Sequence, residues 1–265
     1  MLQSPPALRT VNVIRYITPL REGGSLPAIA EADDEFLYVL KFRGAGQGIK
    51  ALIAELIGGE LARAAGLKIP EIVFANLDAA FGRTEPDEEI QDLLKASTGL
   101  NLGLHFLRSA VAFDPVVNRI DGLLASKIVW LDYLLANVDR TVKNTNLLMW
   151  NRELWLIDQG AALYFHHSRD EWESYAVKPF SYIKDHVLLR QATELEQGNA
   201  FIKERITPEL IAAVVGLVPD EWLRTAYPDE EPETGRNIYT AFLERRIEIF
   251  PQFIKGVQDA RQAGI

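Results

Sequence analysis

Apolar and polar positions alternate in short runs in the first part of the chain and recur every three or four residues further on. The first period is that of strands and the second that of helices. Residues 11–18 (VNVIRYIT) are β-branched and aromatic and predict a strand, followed by a loop at residues 21–25 (REGGS). Residues 26–32 then predict a returning strand, Asp33, Asp34 and Glu35 a turn, and residues 36–42 (FLYVLKF) a third strand in one antiparallel sheet. Past a glycine-rich turn, residues 49–65 have helical spacing and stop before Gly66, so the unit reads β-β-β-α.

Residues 71–77 (EIVFANL) predict a further strand, residues 84–92 an acidic insertion or solvated loop running into a short helical pattern, and residues 100–107 (LNLGLHFL) a strand. Residues 108–114 read as a linker. From 116 to 136 the run VVNRIDGLLASKIVWLDYLLA keeps apolar residues at helical spacing and predicts a long core helix. The tail beyond Thr207 adds helices, started by Thr207-Pro208-Glu209 and interrupted by a Pro-rich, acidic loop at residues 227–235. The second half is therefore mostly helical, without internal repeats.

Composition narrows the function classes. The chain has 265 residues, 48% apolar, enough for a substantial core, and its net charge of −9 argues against a phosphate-backbone binder, so no nucleic-acid partner is expected. With no cysteine there is no disulfide, thiolate metal site or cysteine nucleophile. No apolar run approaches the roughly 20 residues of a membrane span, and the start lacks signal-peptide regions, so a cytoplasmic location without membrane contact is expected.

The stretch 137–163, NVDRTVKNTNLLMWNRELWLIDQGAAL, carries the candidate chemistry. Asp139 precedes Asn144 by five positions, Asn151-Arg152 forms a turn, and a strand at 154–157 ends at Asp158. Phosphoryl transfer needs a carboxylate to orient the acceptor hydroxyl and oxygen ligands to hold Mg²⁺ on the phosphates. Asp139 suits the first role, the Asn144 side-chain carbonyl and the Asp158 carboxylate the second, although Asp and Asn are also ordinary turn residues. Lys41 lies in an apolar strand, where an ammonium is costly unless it reaches an anion or snorkels to water. Glu55 in the next helix is placed to pair with Lys41 against nucleotide phosphates, and Glu60 competes for that role. Gly23, Gly24 and Ser25, between the first two strands, are the candidate loop over the phosphates, or a plain hairpin turn.

Rival motifs fit less well. Gly44-Ala45-Gly46-Gln47-Gly48 lacks the Lys-Ser/Thr of a phosphate-binding P-loop and misses the dinucleotide spacing by one position; it reads as a mobile connection near the nucleotide. His166 and His167, adjacent on a strand, would face opposite ways and have no third zinc ligand at suitable spacing. No serine has a nucleophile elbow around it, and the tryptophans, including Trp130, Trp150 and Trp155, are assigned to the core.

Taken in order, the segments REGGSLPAI, LYVLKF, AELIGGELARAAGLKIPE, NVDRTVKN and LIDQGAAL resemble the HipA-like kinases and, more distantly, the phosphatidylinositol-kinase-like and protein-kinase superfamily. The resemblance implies an α+β, bilobal protein-kinase-like fold, with a small N-terminal antiparallel sheet lobe with one helix (residues 1–108) and a larger, mostly helical C-terminal lobe (residues 109–265). It implies ATP in the cleft, Lys41 on its phosphates, Asp139 as catalytic acid/base, Asn144 and Asp158 as Mg²⁺ ligands, and a hinge beside the adenine containing Leu107 and Arg108. The acceptor would be a hydroxyl, by analogy that of a protein serine or threonine. A silent pseudokinase used as a binding module and a small-molecule kinase are the alternatives. Two positions depart from the pattern: Thr141 stands where toxin-type members often carry histidine, and Gln159 separates Asp158 from Gly160. The chain is also too short for the extra N-terminal subdomain of the toxin kinases, so their antitoxin partner and DNA-linked regulation are not expected.

Overall fold

A computed structural model describes residues 7–20, 26–81 and 86–264. Strands β1 (Thr10–Pro19), β2 (Ala28–Ala32) and β3 (Leu37–Lys41) run antiparallel, as predicted. Strand β3 next pairs with β5 (Gly99–His105), and β5 with β4 (Ile72–Leu77), both antiparallel. The expectation of one purely antiparallel sheet is corrected at the last seam, where the start of β1 runs parallel to β4, Val11 opposite Ala75, and closes the strands into a barrel. Register shifts between Val13 and Arg15 and between Tyr16 and Thr18 bend β1, so that its first half meets β4 while its second half stays on β2.

The period of two decides which side chains fill the barrel. Ala28, Ala30, Ala32, Tyr38, Leu40, Val73 and Ala75 point inward and are buried, the small alanines leaving room for the larger residues opposite. The polar stretch read as a loop is instead helix α2 (Glu88–Ala96) from Glu88 onward. The Asp87 carboxylate caps it by accepting from Glu89 and Ile90 N–H, and its one apolar edge, Ile90 and Leu94, packs on the barrel core.

Helix α1 (Gly48–Ala64) ends as predicted: Gly66 takes φ +77° and Leu67 N–H returns to the Ala62 carbonyl at 3.0 Å, closing the last turn. It is buried nearly all round because the helical C-terminal part packs on it. That part begins with β6 (Val111–Ala112), β7 (Leu147–Trp150) and β8 (Glu153–Leu156), a three-stranded sheet. Residues predicted as a linker thus supply an edge strand. Helix α3 (Gly122–Leu135) is shorter than predicted. Residues 116–121 lie outside it, because the Asp114 carboxylate and Asn118 side chain bind backbone N–H groups in a local turn and Asp121 caps the helix at Leu124. Then follow α4 (Trp172–Val177), α5 (Leu195–Arg205), α6 (Pro208–Val215), α7 (Asp220–Ala226) and α8 (Pro232–Ala263). The acidic loop assigned to 227–235 ends early, since Pro232 occupies the first turn of α8, where its missing N–H costs nothing. His166 and His167 sit on a 3₁₀ turn, Tyr164–His167, not on a strand. Trp130 is wholly buried, whereas Trp150 and Trp155 stack edge to face, half-exposed, on the β7–β8 hairpin.

Among the described residues no helix is long and apolar enough to cross a membrane. The architecture is a sheet-rich N-terminal part and a helical C-terminal part.

Candidate active site

On β3, Tyr38 and Leu40 face the barrel interior, so Lys41 projects from the opposite side, toward α1. There its Nζ meets Glu55 Oε2 at 3.0 Å and Asp158 Oδ1 at 2.5 Å, bringing together residues 117 positions apart. Glu60 points elsewhere, to Arg63 at 3.2 Å, which resolves the competition in favour of Glu55. Burial works to lower the Lys41 ammonium, but the two carboxylates overcome it and hold the group well above its usual range. Burial also raises Glu55, with the Lys41 ammonium opposing and the Asp158 charge adding. For Asp158 the upward push of burial loses to the Lys41 ammonium, the Gly160 N–H and the Arg140 charge, and its carboxyl is held below the ordinary value.

Close approach of α1 to the 158–160 loop depends on Gly58, and its approach to β4 on Gly59. A Cβ on Gly58 would lie 2.9 Å from Gln159 Cβ, and one on Gly59 would overlap Ile72. With no Cβ on Gly58, Glu55 Oε2 reaches past Lys41 and accepts the Gln159 N–H at 2.8 Å. The loop Gly44–Gly48 borders the same niche, Ala45, Gln47 and Gly48 lining it with Lys41 and Gly160.

The second cluster lies on the turn after α3. Asp139 Oδ2 accepts from Asn144 Nδ2 at 2.7 Å and from Asn146 Nδ2 at 3.2 Å. Thr141, at the departure position, closes the turn: its N–H donates to the Asn144 carbonyl at 2.9 Å and its hydroxyl accepts the Asn144 N–H at 3.3 Å.

Joining the clusters is a buried polar network that sequence reasoning missed. Arg140 Nε donates to Asp132 Oδ2 at 2.5 Å, its Nη1 to the Asn146 carbonyl at 2.5 Å and its Nη2 to Gln159 Oε1 at 3.0 Å. Asn137 Nδ2 bridges Asp132 Oδ1 at 3.1 Å and Gln159 Oε1 at 3.2 Å, while its own Oδ1 accepts the Asp139 N–H. His186 Nε2 adds a contact to Asp132 at 3.0 Å, with Nδ1 accepting the Leu188 N–H. The departure at Gln159 thus has a structural account: its side chain receives both Arg140 and Asn137. The available signal was Asp132, a carboxylate within the otherwise apolar run 128–135 of α3, which demands a buried cation.

Asp139 Oδ1, Asn144 Oδ1 and Asp158 Oδ2 accept no hydrogen bond among the described residues. Lys41 keeps one of its three N–H donors. Leu107 and Arg108 lie in the connection between β5 and β6, outside both clusters; Leu107 is buried and the Arg108 carbonyl accepts from Trp150 Nε1 at 3.0 Å. Gly23, Gly24 and Ser25 fall outside the described residues.

A family model described as HipA-like kinase matches residues 13–249. The chain belongs to the HipA-like kinase family. As a member it is a kinase, a phosphotransferase on a mixed α and β fold. Among solved structures it is similar to the Helicobacter pylori proinflammatory kinase CtkA, with a TM-score of 0.58 at 14% identity over 97% of this chain and 99% of that one, a likeness of fold. The Golgi casein kinase with Mn/ADP bound is matched with a TM-score of 0.41 at 15% identity over 94% of this chain and 74% of that one. No curated protein is matched by sequence.

Proposed function

We propose that this HipA-like kinase is ATP- and Mg²⁺-dependent and transfers the γ-phosphoryl group to a serine or threonine hydroxyl of a protein acceptor. The observation that carries the reading is the Lys41 ammonium held between Glu55 and Asp158, with the Asp139–Asn144 turn tied to the Asp158 loop through Arg140, Asn137 and Gln159. This is an anion-binding cation beside oxygen ligands, on a frame that cannot shift one without the others.

The donor set suits the metal. Asn144 Oδ1 and Asp158 Oδ2 are hard oxygen ligands with free lone pairs, and Mg²⁺ takes one or two protein oxygens, completing its shell from phosphates and water. Bound there, the ion would neutralise charge on the β- and γ-phosphates. Lys41 would hold the α- and β-phosphates through its remaining N–H, with Glu55 keeping it oriented. Asp139 Oδ1 would accept the acceptor hydroxyl proton as the new oxygen–phosphorus bond forms and the bond to the ADP oxygen breaks. On this reading residues 1–108 and 109–265 are the two lobes around the nucleotide, and Leu107 and Arg108 lie beside the adenine.

Asp139→Asn is the direct test. Transfer from labelled ATP should fall by about 10²-fold or more, while the thermal stabilisation by Mg²⁺ and ATP persists. Wild-type protein that shows neither stabilisation nor transfer rejects the proposal.

A further inference from the structure

A cavity of about 840 Å³ does not contain Lys41 but shares a wall with the Asp139 turn, through Thr141, Val142 and Lys143. Its other walls come from the segment before α3, the segment 184–191 and the end of α8. These are fastened to the turn and to one another. Val187 N–H donates to the Arg140 carbonyl at 3.0 Å, Thr141 bridges to His186, and the Gln191 side chain holds the Ile120 N–H at 2.9 Å.

Charge sets this cavity apart. Arg119, Lys143, Lys184, Arg190 and Arg261 line it against a single carboxylate, Asp185, in a chain whose net charge is −9. None of the five cations has an ion-pair partner among the described residues; Arg261 instead donates to the Arg190 carbonyl at 3.3 Å and Arg119 to the Pro115 carbonyl at 3.3 Å. Elsewhere arginines such as Arg9, Arg15, Arg43 and Arg236 are paired with carboxylates. Five cations without an ion-pair partner among the described residues, against one carboxylate, focus a positive potential beside the Asp139 turn. The rim adds apolar surface, Val116 and Val142 being 79% and 67% exposed.

We infer that this cavity is the acceptor-docking site and that the acceptor is an acidic polypeptide segment, its Asp or Glu side chains lying on the five cations and an apolar residue against Val116 and Val142. The inference rests on the phosphotransfer reading above and deepens it. Charge complementarity selects the occupant: a basic segment is repelled, and an uncharged one leaves the cations unpaired. The turn that carries Asp139 forms one wall through Thr141, Val142 and Lys143, so such a segment would bring its serine or threonine to that turn.

Binding is measured by fluorescence anisotropy on the full chain with Mg²⁺ and a non-hydrolysable ATP analogue. The probes are a labelled serine peptide flanked by glutamates and the same peptide with lysines. The glutamate peptide should bind about tenfold more tightly, with the preference shrinking as salt rises, because the cations are near the surface. The paired substitution Lys184→Glu and Arg190→Glu leaves three cations against three carboxylates in the lining and should erase the preference, weakening the glutamate peptide while strengthening the lysine peptide, a gain that general loss of structure does not produce. Equal binding of the two peptides by the wild type, no binding of either, or an unchanged preference in the charge-reversed variant overturns the inference. The thermal shift with Mg²⁺ and ATP, run in parallel, reports separately on the underlying reading: its loss overturns that, and its retention confines the failure to the docking site.

Discussion

Asp158 has φ +54°, in the left-handed region that costs a non-glycine residue on the order of 1–2 kcal/mol. Its bonds to Lys41 and to the Gly160 N–H, both through Oδ1, offset that cost. Asp132 is the counterpart in the interior, with no exposure, and is held below the ordinary carboxyl value because the Arg140 and His186 contacts outweigh the upward push of burial. Asp132→Asn removes the counter-charge from a buried arginine and should cost about 3–5 kcal/mol, read by urea denaturation at neutral pH. A carboxyl depressed on folding stabilises the protein above its unfolded value near 3.8, and that contribution is lost as pH falls through the lower folded value. The gap between wild type and variant should therefore be constant from pH 7 to about pH 5 and narrow steeply below pH 4. A gap that stays constant to pH 3 would mean that folding does not depress the Asp132 carboxyl.

At the scale of elements, the site depends on how closely α1 approaches the loop after β8. The Gly58-Gly59 pair forgoes helix propensity, about 1 kcal/mol at each position, to let that loop and β4 pack against the helix backbone. Gly58→Ala should therefore fail to stabilise the protein despite its better propensity. By pushing Gln159 away from Glu55 it should lower kcat/KM for ATP about tenfold, with the loss visible in steady-state kinetics and no gain in Tm. The β7–β8 hairpin that delivers Asp158 is closed by Asn151 and Arg152, at φ +50° and +66°, a two-residue turn whose twist matches the strands. Its position was readable because asparagine tolerates that backbone. The strand β6 that completes this sheet was not, since a two-residue edge strand leaves no period to detect.

Over the whole molecule, the barrel supplies Lys41 and the helical part supplies Asp139, Asn144 and Asp158, so a metal-bound nucleotide would be held by both. A ligand that binds only the folded arrangement at a hundred times its Kd adds about 2.7 kcal/mol. Saturating ATP with Mg²⁺ should therefore raise Tm by roughly 5–10 °C, measured by scanning fluorimetry, and ATP with a chelator by much less. Lys41→Met should abolish the nucleotide-dependent part, since methionine offers no donor to a phosphate.

What the sequence determined by itself was local: strand and helix periods, the stop at Gly66, the Asn-Arg turn, and the order of segments that marks the family. Lys41, Asp139, Asn144 and Asp158 could be named because a charge in an apolar strand and acids flanking a hairpin are conspicuous in one dimension. The tertiary structure alone decided the rest. Barrel closure follows from bends in β1, the choice of Glu55 over Glu60 from which helix face meets Lys41, and the roles of Asp132, Arg140 and Gln159 from burial. Each of these is a long-range pairing, and an isolated residue carries no mark of the partner that folding will bring to it.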